Sequence, residues 1–126
     1  MIEILKGFPD TVVAVACSGH VTSRDYEMVL IPAVEKALKE HKKVRLYYEV
    51  RSDFSGIEPG AAWADFKVGV EHWLRWERIA VVTDVDWIRH TVSAFGFIMP
   101  AELHVFPLVE TAEARNWIVA PRIQEA

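Results

Sequence analysis

The chain alternates between short, dense apolar runs and longer stretches in which apolar residues recur every three or four positions. "MIEIL" reads as a short strand, and "GFPD" turns it into "TVVAVACSG", a β-branched run suited to a strand. From Thr22 or Ser23, either of which can cap the first amides, Tyr26, Leu30, Ala33, Val34, Ala37 and Leu38 follow helical spacing. Pro32 lies inside that helix, removes one backbone donor and predicts a kink or a split. Lys36, Lys39, Lys42 and Lys43 gather at its C-terminal end, where the helix dipole favours cations. "KVRLYYEV" is the next strand, followed by the loop "SDFSGI" and a helix from Glu58 or Pro59 to about Leu74. "RIAVVTD" is a continuous apolar strand, the pattern of one covered on both faces. Asp84 or Asp86 is placed to cap the helix "DWIRHTVSAF", and Gly96 to end it in a left-handed conformation. "ELHVF" is the last strand, and Thr111 is placed to cap a final helix, "AEARNWIV".

This order, β-β-α-β-α-β-α-β-α, predicts an α/β fold: a single small domain over 1–126 with a mostly parallel, mixed five-stranded sheet and four helices on its two faces. The first strand is expected to pair antiparallel at an edge, because its link to the second is too short for a crossover.

Charge and composition narrow the classes of function. A formal net charge of −4 argues against non-specific nucleic-acid binding, which needs a basic footprint. No run approaches the length of a membrane span, and "MIEILKGFPD" lacks a signal-peptide pattern, so the expected location is the cytoplasm. Cys17 is the single cysteine, which removes an intrachain disulfide and multi-cysteine zinc sites from consideration. Five tryptophans are the one compositional oddity, and tryptophan favours places where an apolar body meets a polar edge.

In a parallel sheet, sites gather beyond the carboxyl ends of the strands. Those ends carry Cys17, Ser18 and His20, then Arg51, Ser52, Asp53 and Ser55, then Thr83, Asp84 and Asp86. The set holds a thiol, hydroxyls, an imidazole and carboxylates, the makings of a nucleophile and base. Helix starts need the same residue types, and no nucleophile elbow, phosphate loop or dinucleotide fingerprint is present. The histidines lack helical metal-site spacing. The expectation is therefore no catalytic residues, no metal and no cofactor.

The segment "RSDFSGIEPGAAWADFK" is the informative one. Ser55 and Glu58 have capping-box spacing, yet Pro59 suits the first helical position better than the fourth, so Ser55 is read as a loop residue open to solvent. Beyond it, Trp63, Phe66, Val70 and Trp73 fall on one helical face, while Gly60, Ala61, Ala62, Ala64 and Gly69 let neighbours approach. Phe54 and Ile57 add apolar groups to the preceding loop. An aromatic helix with glycines behind a flexible loop reads as a lid.

"TSRDYEMVLIPAVEKAL", "GAAWADFKVGVEHWLRWERIAVVTDVDWIR", "ELHVF" and "EARNWI" together resemble the SpoIIAA-like family, across nearly the whole chain. That family shares the STAS fold, related to the CRAL-TRIO lipid-binding architecture. The resemblance implies a β-α superhelix without established enzyme activity, binding apolar ligands or membrane surfaces beneath a helix over 58–74 that opens and closes. A better-known branch, the anti-sigma factor antagonists, carries Asp-Ser-Ser-Gly at a strand–helix junction and is switched by phosphorylation of a serine there. Asp53-Phe54-Ser55-Gly56 stands at the same junction, so Ser55 matches the modified position and Phe54 departs from the motif.

The leading expectation is a non-enzymatic module that binds an apolar or amphipathic small molecule, such as a lipid, through Phe54, Trp63, Phe66, Val70 and Trp73. The same aromatics would touch a membrane from its inner face. The alternative is a protein-interaction switch with Ser55 as its phosphosite. A homodimer or a regulatory protein is the partner that exposed tryptophans would otherwise imply.

Overall fold

The computed structural model describes residues 1–121, apart from the side chains of Asp65, Phe66, Gly69 and Val70. Five strands form one sheet in the order β1 (Ile2–Ile4), β2 (Val12–Cys17), β4 (Val44–Val50), β6 (Trp76–Val82) and β7 (Glu102–Phe106). β1 runs antiparallel to β2 at the edge, and every other pair is parallel. All residues of β2 are buried, as its unbroken apolar run requires of a strand covered on both faces. The mixed sheet, with its antiparallel edge, is the one read from the sequence.

The first helical run begins at α1 (Ser23–Asp25), passes through a π-helical turn (Tyr26–Leu30) and continues as α2 (Ile31–Glu40). Thr22 is its N-cap: the Thr22 hydroxyl accepts from the Asp25 N–H, and the Asp25 carboxylate accepts from the Thr22 N–H. Pro32 does not end this run, but regular α-helical geometry is interrupted just ahead of it by the π-helical turn. The Ile31 N–H reaches back to the Tyr26 carbonyl, and the wider turn places Pro32 in the first turn of α2, where no donor is needed.

Three expected caps are replaced. The Asp84 carboxylate accepts from the Leu108 N–H at 3.0 Å, so it ties two loops together and does not cap α4 (Asp86–Gly96), whose N-cap Val85 has no side-chain bond. Gly96 ends α4 without a positive φ, and a Cβ there would make only ordinary contact with Leu103. Thr111 is the first residue of α5 (Thr111–Val119), and its hydroxyl donates to the Leu108 carbonyl of a preceding 3-10 turn.

The segment after β4 is more ordered than a plain loop. β5 (Gly56–Ile57) pairs in parallel with β3 (His20–Val21) as a separate two-stranded sheet. Gly56 has φ +152°, which a side chain would not readily adopt. α3 (Pro59–Glu71) follows, opening at Pro59 as read, and stops short of Leu74. Arg75 explains that end: its guanidinium donates to the carbonyls of Leu38, His41 and Lys42, pulling the chain onto the C-terminus of α2.

The period-2 alternation of the strands divides the apolar residues between two faces. Val13, Val15, Cys17, Val44, Ile79 and Val81 pack with Tyr26, Leu30, Val34 and Ala61 on one face. Val12, Ala14, Tyr47, Ala80 and Val82 pack against Ala114 and Ile118 of α5 on the other. Arg45 and Arg78 finish α5 by donating to the carbonyls of Ile118 and Ala120, and of Trp117 and Ala120, where the helix dipole is negative.

Candidate functional site

A cavity of about 290 Å³ lies between the sheet and the helices of the first face. Its floor is Leu46 and Tyr48 from β4, Ile79 and Val81 from β6, and Leu103 from β7. Leu30 and Val34 close one side, while Ile88, Val92 and Phe95 of α4 close the other. Ala62 and Val68 of α3 form the cover, with Trp73 and Trp76 at one end. Protein interiors rarely leave voids much larger than a water molecule, so an opening of this size has a cause. Ala61 is fully buried, and Ala64 and Val68 pack partly buried against the core one and two turns later. Among the described side chains of α3, those turned toward the core are small.

The lining is apolar and, among the described residues, carries no charge. The Tyr48 hydroxyl lies 2.7 Å from that of buried Tyr26, and the Thr91 hydroxyl donates to the Trp87 carbonyl. Trp76 is 4 % exposed, and its indole N–H is buried without a hydrogen-bond partner. Trp87 both lines the cavity and is more than half exposed, which marks a mouth.

The ends of α3 are tied down. Ser55 and Glu58 donate their backbone N–H groups to the Gly19 and Val21 carbonyls, and the Glu58 carboxylate accepts from the Ser23 N–H at 2.8 Å. Gly60 is the point of closest approach, since a Cβ there would lie 2.4 Å from the Ser23 hydroxyl oxygen. At the far end Arg75 anchors the chain to α2.

A family model described as SpoIIAA-like matches residues 12–119. The chain belongs to the SpoIIAA-like family. Its fold is similar to the crystal structure of an uncharacterized protein from the DUF3478 family with a SpoIIAA-like fold, from Shewanella loihica PV-4. The two share 24% identity over 94% of this chain and 92% of that one, with a TM-score of 0.70. No curated protein matches the chain.

On this SpoIIAA-like frame the residues read from the sequence separate. Trp73 lines the cavity. Trp63 does not: it is 66 % exposed, on the side of α3 away from Ala61, Ala64 and Val68. Trp63 thus lies outside the described cavity wall. Phe54 is half-buried against the first-face core but is not part of the described cavity wall. The side chains of Phe66 and Val70 lie outside the described residues. Ser55 is exposed, as read, but β5 and Glu58 separate it from α3, so it is not at that helix's N-terminus.

Sequence reasoning missed the α4 wall, although Ile88, Val92 and Phe95 have the spacing of one helical face. It also missed Tyr48 and Trp76, which sit in runs read only as strands.

The residues at the strand ends serve the frame. Cys17 is buried in the first-face core. The buried Thr83 hydroxyl accepts from the Val85 N–H, and exposed His20 belongs to β3. Among the described residues no three His, Cys, Asp or Glu side chains gather as a metal site. The second face holds a polar cluster in which the Tyr47 hydroxyl donates to nearly buried Glu49 at 2.6 Å, with Arg51 and Arg115 beside that carboxylate. Burial, then the Glu49 carboxylate, push the Tyr47 phenol far above its ordinary range, so it stays a neutral donor. No helix among the described residues is long and apolar enough to cross a membrane.

Proposed function

We propose that this SpoIIAA-like domain is a non-enzymatic binding module for an apolar or amphipathic small molecule, held in the cavity beneath α3. The observation that carries this reading is the 290 Å³ space itself: near the lower bound of ligand pockets, uncharged in its described lining, and covered by a helix anchored at both ends. Such a space shields apolar area from water without offering a nucleophile or base for chemistry.

The surface carries several exposed apolar side chains. Trp87 at the cavity is exposed, and so are Trp63, Leu74, Phe97 and Ile98 elsewhere on the chain. Peripheral contact with a membrane, at the level where tryptophan rings favour the lipid boundary, is the route by which a poorly soluble ligand would enter. Titration with apolar ligands tests the proposal. Saturable change in tryptophan emission, with a matching calorimetric isotherm, is expected; no response up to the ligands' solubility limit would remove the reading.

A second reading is supported by one observation: Ser55 is exposed on the segment that leads through β5 into α3. Phosphorylation there would place a dianion beside exposed Asp53 and change a partner-facing surface, as in the anti-sigma factor antagonist branch. Mass spectrometry after incubation with cell extract and ATP tests it, and Ser55 left unmodified would end it.

A further inference from the structure

The two edges of the sheet are finished differently. β1 is three residues long, and its Glu3 is tied to Arg51 at 2.7 Å. β7 is five residues long and pairs with β6 in unbroken register. It carries no proline, no lysine and no bulge, the devices that commonly blunt an edge against further pairing.

The phase of its hydrogen bonds fixes what this edge presents. The Phe106 carbonyl accepts from the Thr83 N–H at 2.9 Å, so Phe106 turns its backbone groups toward β6. Backbone direction alternates along a strand, so Glu102 and His104 do likewise, and Leu103 and Val105 turn theirs outward. Among the described residues, no backbone group beyond the sheet bonds to Leu103 or Val105. An open groove runs beside this edge, walled by Ser93, Gly96, Phe97 and Glu110. Outward donors and acceptors along a groove are the complement of another extended strand.

The side chains indicate whose strand it is. Glu102 and His104 lie on the same face of β7, and both are exposed. Each is held in place: the His104 ring stacks on Trp117 with centroids 4.4 Å apart, and Glu102 lies 3.5 Å from Arg78. A second β7 laid antiparallel, with a twofold axis between the two Leu103 residues, sets each Glu102 directly across from the other copy's His104. One symmetry operation thus matches a carboxylate with an imidazole on both sides of the axis. Phe97, 92 % exposed in the groove wall, gives the contact an apolar flank.

We propose that β7 is the seam of a homodimer, in which two five-stranded sheets join antiparallel into one continuous sheet with Glu102 of each copy opposite His104 of the other. The contact uses the sheet edge and does not depend on what the cavity beneath α3 holds.

Sedimentation equilibrium of the whole chain at neutral pH, from about micromolar to about millimolar concentration, is expected to show a reversible monomer–dimer equilibrium. Val105→Pro removes an outward N–H that the monomer's own ladder does not use. The fold is expected to survive, checked by circular dichroism, while dimerisation weakens at least about tenfold. Glu102→Lys and His104→Glu each remove the match between copies and are expected to weaken self-association about three- to tenfold. An equimolar mixture of these two variants is expected to restore it, because the substitutions then face one another and the native pair is kept on the other side. A chain monomeric throughout the range, a dimer unweakened in folded Val105→Pro, or a mixture no tighter than its components would overturn the inference. Where a variant does not fold, the amides of Leu103 and Val105 in the unaltered chain decide: hydrogen exchange that slows as protein concentration rises is expected, and exchange independent of concentration would overturn the seam.

Discussion

The Ser23 N–H donates to the Glu58 carboxylate at 2.8 Å, joining the start of the first helical run to the residue just ahead of α3, 35 positions later. Alongside the Glu58 N–H to Val21 bond, it holds the hinge end of the helix that covers the cavity.

Glu58→Ala removes that acceptor and leaves a helix-start amide of Ser23 unpaired. A loss of about 1–2 kcal/mol in denaturant unfolding is expected, because the acceptor is charged but only partly buried. Hydrogen exchange should rise first in the amides of α3. Unchanged exchange there would mean that the β3–β5 pairing alone fixes the hinge.

Filling the cavity separates binding from stability. Val92→Phe adds volume to the α4 wall, and is expected to keep or raise stability, by up to about 2 kcal/mol, while abolishing uptake of apolar ligands. A folded variant that still binds with full affinity would place the ligand elsewhere.

Trp63→Gln tests the outward side of α3. Because the ring is 66 % exposed, a stability change within about 0.5 kcal/mol is expected, with ligand affinity in the cavity intact. Partitioning onto phospholipid vesicles, read by sedimentation, should fall. Loss of cavity binding in a folded protein would show that Trp63 reaches the ligand after all.

Acid should weaken the first helix through Asp25. Burial is the largest single influence and raises this carboxyl, but the Thr22 hydrogen bonds and the terminal ammonium together outweigh it, so the folded value lies below the ordinary one. A group held low in the folded state contributes stability above its unfolded value, about 3.9, and loses it as pH falls through the lower folded value. Asp25→Asn should therefore melt below the unaltered protein at pH 7. The gap should narrow as pH falls below the ordinary carboxylate range in melting curves taken across acid pH; a constant gap would assign the effect to shape and not to charge.

Local chemistry in the sequence settled the frame of this protein. β-branched runs can only be covered strands, the short link after Ile4 forces an antiparallel edge, and Pro59 can only open a helix. Those rules act over a few residues, so a linear reading captures them. The cap residues escaped it because Asp84 and Thr111 have hydroxyl or carboxylate oxygens that serve distant or preceding backbone groups as readily as a helix start.

Only the tertiary structure decided which side of α3 faces in. That helix is apolar on both sides, and periodicity groups Trp63 apart from Ala61, Ala64 and Val68 without ranking the groups. Among the described side chains, Ala61, Ala64 and Val68 face the core while Trp63 is exposed. The cavity joins residues of β4, β6, β7 and three helical segments, and the unpaired donor of Trp76 depends on what surrounds it. Distances between elements far apart in the chain have no local signature, because they arise only when several packed surfaces meet.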